Sequence, residues 1–280
     1  MTGSLRPLVF MTDFGLRDAA VAAMKGVALG VSGALSLFDL THDIPPFDVW
    51  EGAYRLLQGV GYWPVGTVFV SVVDPGVGTA RRSLAVRTGR GQVFVNPDNG
   101  LLTQVVARDG LESAVEIDET RQRLPGSEAS YTFLGRDLYA YVGARLASGQ
   151  VKLEDLGPPL TAPLVTVESP PARRSGDTLH GHIPVLDVNY GNAWTNVPLH
   201  LLEELGVSYG DTLRVTLRRG GETVFEEALP FAHAFGQVAP GQVLLYVNSL
   251  LHAAIGVNQG NFARRYGVAS GLDWTVEIGR

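Results

Sequence analysis

Through its first 150 residues the chain alternates short apolar runs with helix-type windows. PLVFMTDF (7–14) is apolar up to Asp13 and predicts a buried strand. AAVAAMKGVALGV (19–31) is rich in good helix formers and predicts a helix. SLFDLTH (36–42) predicts a second strand, and Asp48 ahead of VWEGAYRLLQGV predicts an N-capped helix. TVFVSVVD (67–74) predicts a third strand, nearly all apolar as in a sheet covered on both faces. SLAVRT and GQVFVNPDNG predict a hairpin feeding a helix over 100–110, and RDLYAYVGARLASG (136–149) a last helix with Gly149 past its end. Strands alternating with helices give an α/β domain with a mostly parallel sheet.

The pattern changes at ESPPARRSGDT (168–178), which has no periodicity. We read 168–177 as a linker between an α/β domain (1–167) and a second domain (178–280). Beyond it, strand patterns dominate: TLHGHIPVLDV, TLRVTLRRGGETVFEEAL turning at Gly220-Gly221, QVLLYVNS and WTVEIG. They predict an antiparallel β domain, a small barrel or sandwich.

Two domains also suit a length of 280 residues. The hydrophobic share of 45% and charged share of 18% exclude wholesale disorder. The chain has no cysteine, which excludes thiol catalysis and Cys-built metal sites. A net charge of −6, with basic residues only in short pairs, argues against nucleic-acid binding. No apolar run approaches the ~18 residues of a membrane span, and MTGSLRPLVF does not have the form of a signal peptide. The expectation is a cytoplasmic protein that binds neither membrane nor nucleic acid.

Candidate chemistry begins with Asp13 and Asp74, each at the predicted carboxyl end of a strand, the edge where open α/β sheets bind ligands. A single such Asp often just caps a turn; two, each followed by a Gly-containing turn (DFG, DPGVG), favour a small-molecule pocket. Asp74–Thr79 has the glycines of an anion cradle but matches no phosphate-loop motif, so a tight turn presenting Asp74 and Arg81 to a cleft is the preferred reading. NPDNG (96–100) is turn chemistry. YGNAWTN (190–196) suits either a loop reading a flat heterocycle or a β-bulge. His180 and His182 share one face of a strand, but without a carboxylate at ligand spacing they predict no metal.

In order along the chain, MTDFG (11–15), DLTHDIPPFDVWEGA (39–53), VVDPGVGTARR (72–82), NPDNGLL (96–102), YTFLGRD (131–137), DVNYGNAWTN (187–196) and NSLLHAAIGVNQGN (248–261) resemble the S-adenosyl-L-methionine (SAM) hydrolases. These adenosine-forming SAM hydroxide adenosyltransferases are homologous to the fluorinase and chlorinase. The resemblance covers nearly the whole chain. It implies an α/β N-terminal domain, a β-barrel C-terminal domain and a homotrimer with active sites between neighbouring subunits. It also implies displacement of methionine from the ribose C5′ of SAM, without metal or cofactor.

Matched to the family's motifs, Asp74 accepts a proton from water or holds hydroxide, and Arg81 orients the oxygen. Asp13 receives the ribose hydroxyls and Phe47 covers the ribose. Tyr190 and Phe235 sandwich adenine, with Asn192 on its edge. Asp18, Asp187 and Ser249 hold the amino-acid end, and Thr132 and Gly135 line the nucleophile pocket. Two positions depart from the pattern. The hydrolases carry a histidine where this chain has Leu134, and the fluorinase has an arginine where this chain has Leu250. Where the fluorinase has Tyr, Thr and Ser, this chain has Asp74, Val77 and Gly135. An ionised Asp ~4 Å from a halide costs on the order of 4 kcal/mol at an effective dielectric near 20, unless it is protonated or paired by Arg81. Water is therefore the expected nucleophile. The alternatives are a halide-using, chlorinase-like enzyme and a catalytically silent SAM or adenosine binder.

Overall fold

A computed structural model describes residues 5–280. The chain divides into two compact units, the first ending at Glu168 and the second running Ser169–Arg280.

The first unit contains β1 (Leu8–Thr12), α1 (Ala20–Val31), β2 (Leu37–Thr41), α2 (Val49–Val60), β3 (Val68–Val72), β4 (Ser83–Thr88), β5 (Val93–Pro97), α3 (Thr103–Asp109), β6 (Leu111–Glu116) and α4 (Glu119–Gln122). A π-helix (Gly135–Ala140) then runs directly into α5 (Tyr141–Ala147). The strands form one sheet in the order β2-β1-β3-β5-β4-β6. The β1–β2, β1–β3 and β3–β5 ladders are parallel, and β4 is antiparallel to both β5 and β6.

Alternation along each strand feeds two cores. Leu8, Phe10, Val68 and Val70 face Met24 and Ala28 of α1 and Val142 and Ala144 of α5. Val9, Met11 and Phe69 pack with Leu56 and Val60 of α2 and Val105 of α3. That two-sided burial is why β1 and β3 read as unbroken apolar runs. Asp48 caps α2, accepting the Glu51 N–H at 2.9 Å.

The segment predicted as one α-helix over 136–149 instead opens with the π-turns. Five of the six residues in that π-helix are buried, among them Asp137, Leu138, Tyr139 and Ala140 in succession. One face of an α-helix does not bury four consecutive residues, and the wider turn does.

The second unit contains β7 (Arg173–Ser175), β8 (Thr178–Ile183), β9 (Val185–Leu186), β10 (Ala193–Pro198), α6 (Leu199–Glu204), β11 (Thr212–Arg219), β12 (Glu222–Pro230), β13 (Val243–Val247), β14 (His252–Val257), α7 (Phe262–Tyr266) and β15 (Gly271–Gly279). β7 lies inside the Pro/Arg-rich stretch read as a linker and pairs with β8, so the later part of that stretch belongs to the sheet. The strands form two antiparallel sheets, β13-β14-β10-β9 and β12-β11-β15-β8-β7. The two share a core that includes Leu179, Val215, Leu217, Ile255, Trp274 and Ile278. Among the described residues an isolated bridge, Phe231 to Leu245, joins the sheets, and no closed barrel forms.

Gly143 lets α5 lie close on the first sheet: a Cβ there would run into Val70 Cγ2 and sit 3.3 Å from Leu8 Cδ1. Gly143→Ala is expected to destabilise the first unit by about 1–3 kcal/mol through overpacking, seen as a lower denaturant midpoint for that unit's transition.

Candidate functional site

Thr12 of β1 and Val72 of β3 are register partners in a parallel ladder, so the chain leaves both strands at the same edge of the sheet. Asp13 and Asp74 follow at that edge, and both line a cavity of about 300 Å³. Phe14, Phe47, Val77, Thr132, Phe133, Leu134 and Gly135 complete most of its wall. Among the candidates of the first half, Asp13, Phe47, Asp74, Thr132 and Gly135 are thus brought together. Arg81 acts from behind Asp74. Asp18 is not brought in: it is exposed, and its Oδ1 accepts the Ala20 N–H at 2.9 Å ahead of α1.

The loop after β1 is pinned from outside the cavity. His42 Nδ1 lies 2.8 Å from Thr12 Oγ1, which accepts the Phe14 N–H at 3.2 Å, while the His42 carbonyl accepts the Gly15 N–H at 2.8 Å. His42 Nε2 is 3.0 Å from Asp39, which Lys25 meets at 2.6 Å. Burial pushes the Asp39 pKa up, but the hydrogen bonds and charges of Lys25 and His42 outweigh it and hold the carboxyl below its ordinary value. Asp13 Oδ2 accepts the Phe47 N–H at 2.8 Å. Phe47 sits at φ +69°, a left-handed conformation that costs a residue bearing a Cβ about 1–2 kcal/mol, and the residue is 69% exposed.

The turn after β3 closes on itself rather than cradling an anion. Gly76 N–H donates to Asp74 Oδ1 at 3.1 Å, and Thr79 donates its N–H at 3.1 Å and its hydroxyl at 2.7 Å to the Gly76 carbonyl. Arg81 grips the Asp74 carboxylate, with Nε 2.9 Å and Nη2 2.6 Å from Oδ2. Both side chains are about nine-tenths shielded. Burial pushes the Arg81 pKa down, but the hydrogen bond to Asp74 and the surrounding negative groups more than offset it, and the net shift is upward. Arg81 therefore stays charged.

Leu134 is 4% exposed, packs in the first core and still contributes to the cavity wall. Phe14 and Phe133 meet edge-to-face at 5.7 Å beside it. A Cβ on Gly135 would lie 3.0 Å from the Phe14 ring, so glycine makes room there. Thr132 Oγ1 is 3.1 Å from Ser130 Oγ.

The second unit carries a larger cavity, about 570 Å³, lined by Asp187, Asn189, Tyr190, Asn192, Phe235, Tyr246 and residues 257–261. Four of the candidates from this half, Asp187, Tyr190, Asn192 and Phe235, meet here. Ser249 does not line it; it sits exposed on the turn between β13 and β14. Two glycines shape the floor. Gly191, at φ +66°, lies so close to Asn261 that a Cβ would collide with that amide. A Cβ on Gly256 would meet Asn192 Oδ1 at 2.5 Å and Phe235 Cε1 at 2.9 Å. Asn192 donates to Asp187 Oδ2 at 3.3 Å, and Phe235 and Tyr246 meet at 4.8 Å between centroids. Burial pushes the Tyr246 hydroxyl up to about 12. Three aromatics, an acid and several amides around an open cavity suit a flat, polar-edged ring.

Sequence reasoning missed Tyr246, Asn261 and Gly256, although all three lie in or beside QVLLYVNS and the NSLLHAAIGVNQGN motif. No group of three or more His, Cys, Asp or Glu residues able to hold a metal occurs among the described residues. No helix among them is long and apolar enough to cross a membrane.

Residues 8–157 match the model of the SAM hydroxide adenosyltransferase N-terminal domain, and residues 181–275 that of the C-terminal domain. The chain is 39% identical to the (R)-S-adenosyl-L-methionine hydrolase of Salinispora tropica over 96% of its own length and 97% of the relative's. It is 33% identical to a fluorinase of an Actinoplanes species, covering 96% of each chain. The crystal structure of an uncharacterized conserved protein from Thermotoga maritima superposes with a TM-score of 0.89 at 33% identity, covering 98% of this chain and all of that one.

Because the strain at position 47 belongs to the backbone, Phe47→Gly is expected to be more stable than Phe47→Ala by about 1 kcal/mol, measured by chemical denaturation of the two variants.

Proposed function

The chain belongs to the SAM hydroxide adenosyltransferase family, and on that premise we propose that it hydrolyses S-adenosyl-L-methionine to adenosine and L-methionine. Water attacks the ribose C5′, the C5′–S bond breaks, and methionine leaves as a neutral thioether. The water proton passes towards Asp74 as the new C–O bond forms. A sulfonium needs no protonation to leave, so the protein's task is to hold one water in line and keep competing solvent out.

The observation that carries the reading is Asp74 at the cavity wall, clamped by Arg81. The carboxylate is the acceptor a water nucleophile requires, and the clamp fixes where it points. Asp13 and Phe47 are assigned to the ribose, Thr132 and Gly135 to the nucleophile's surroundings. In the second unit Tyr190, Phe235 and Asn192 are assigned to adenine. Asp187 is assigned to the amino-acid end, together with Asp18 and Ser249. The homotrimer, with its active sites between neighbouring subunits, and a cytoplasmic location belong to the same reading.

Arg81 pairs Asp74, so simple charge repulsion is not what disfavours a halide. The deciding property is the supply of donors. Thr132 is the one side-chain donor among the residues that line the first cavity; Val72, Val77, Leu134, Phe14 and Phe133 offer none. An anion stripped of water needs several donors. A neutral water needs one good acceptor, and Asp74 supplies it.

Purified protein incubated with SAM is expected to release adenosine and methionine in equal amounts, by chromatography, with no 5′-halo-adenosine when chloride or fluoride is added. Intact SAM that binds in a calorimeter would instead identify a silent binder. Asp74→Ala is expected to lower kcat by about 10²–10⁴-fold, the range of a general base; an unchanged rate would remove Asp74 from the role. Leu134→His, which places an imidazole on the same wall, is expected to raise kcat by about tenfold or more.

A further inference from the structure

Arg81 has a second set of partners, on the side of its guanidinium away from Asp74. Nη1 donates to Ser83 Oγ at 2.8 Å and lies 3.4 Å from Glu119 Oε1. Ser83 Oγ is in turn 2.6 Å from Glu119 Oε1 and 2.8 Å from Tyr139 Oη. Ser83 and Tyr139 are both fully or almost fully buried.

Counting protons orders this cluster. A serine hydroxyl has one proton and two lone pairs. The Ser83 proton goes to the Glu119 carboxylate, which can only accept. The two lone pairs then receive Arg81 Nη1–H and the Tyr139 hydroxyl, so Tyr139 must be the donor. Burial holds Tyr139 in that protonated form by pushing its pKa upward, against the opposing field of Arg81. Every hydrogen-bonding capacity of Ser83 is used, and each use fixes the direction of the next.

We propose that Glu119, acting through Ser83 and assisted by Tyr139, is a positioning residue for Arg81: it holds the rear edge of the guanidinium so that the forward edge stays locked on Asp74. This rests on the reading of Asp74 as the water's acceptor. The rigid fork of an arginine bonds two partners on different edges at once, which a lysine ammonium does not reproduce with fixed geometry. A guanidinium does not give up its protons near neutral pH, so the cluster orients and does not relay protons. It also ties the turn after β3 to both α4 and the π-helix, which begins at the cavity wall with Gly135.

Glu119 is the substitution of choice, because it begins α4 with its side chain one-third exposed and Gln keeps its shape. With SAM as substrate, Glu119→Gln is expected to lower kcat by about tenfold with KM changed less than about twofold, since a nucleophile held out of line costs turnover and not binding. In an Arg81→Lys background the same change is expected to alter kcat by less than about twofold, because its route of action is already gone. Tyr139→Phe, which keeps the buried ring, is expected to give a smaller loss of the same kind. An unchanged kcat in Glu119→Gln, or an equal loss in both backgrounds, overturns the proposal. A second readout does not depend on turnover. The Arg81 Nε–H resonance, assigned by its loss in Arg81→Lys, is expected to exchange slowly in the wild-type protein and to broaden in Glu119→Gln. A resonance that stays sharp overturns the proposal. If the wild-type protein leaves SAM intact while the resonance behaves as described, the hydrolase reading fails and the clamp on Arg81 stands.

Discussion

The first unit is organised around one electrostatic constraint: a carboxylate placed at the wall of a mostly apolar cavity must be paired. Asp74 follows β3 at an edge where Val72, Val77, Leu134 and three phenylalanines line the same cavity. Left alone there, an anion is costly to desolvate. Arg81 offsets the charge, and Glu119, Ser83 and Tyr139 hold Arg81. The cationic side chain is balanced on both edges and stays protonated. The same arrangement fixes the direction of Asp74, because Arg81 and the Gly76 N–H together hold both of its carboxylate oxygens at the cavity wall.

Asp13 solves a different problem with the same residue type. Its partner is a backbone N–H, that of Phe47, a residue in the left-handed conformation. Asp74 is fixed by charge, whereas Asp13 fixes a strained loop. Two acids that look alike as strand-end residues in the sequence therefore do opposite structural work.

Much of this was legible in the sequence because local rules determine it. Apolar runs ended by Asp13 and Asp74 announced two strands and the edge they share, and Asp48 announced its helix. The motif resemblance supplied the aromatics and amide of the second cavity, which the structure brings together as Tyr190, Asn192 and Phe235. What stayed hidden depends on distant parts of the chain. Glu119 lies 36 residues from Ser83 and carries no pattern of its own. Asp18 and Ser249 matched by motif yet lie outside both cavities, since a motif fixes order along the chain and not side-chain convergence. The π-helix was hidden for another reason: helical periodicity in GRDLYAYVGARLA reads the same with or without one extra residue in a turn.

That extra residue sets a phase. An α-helix advances about 100° per residue, so a single residue added to or taken from one turn swings everything before it by roughly that angle relative to everything after it. Here α5 is seated against the sheet through Gly143, Val142 and Ala144, while Tyr139 reaches Ser83, and Gly135 at the start of the π-helix and Leu134 just ahead of it line the cavity. The wide turn is what allows both ends to be satisfied at once. In this fold the cavity wall is thus encoded by chain length as well as by side-chain identity. A family could remodel the nucleophile's surroundings by an insertion or deletion in this helix, with every catalytic residue unchanged.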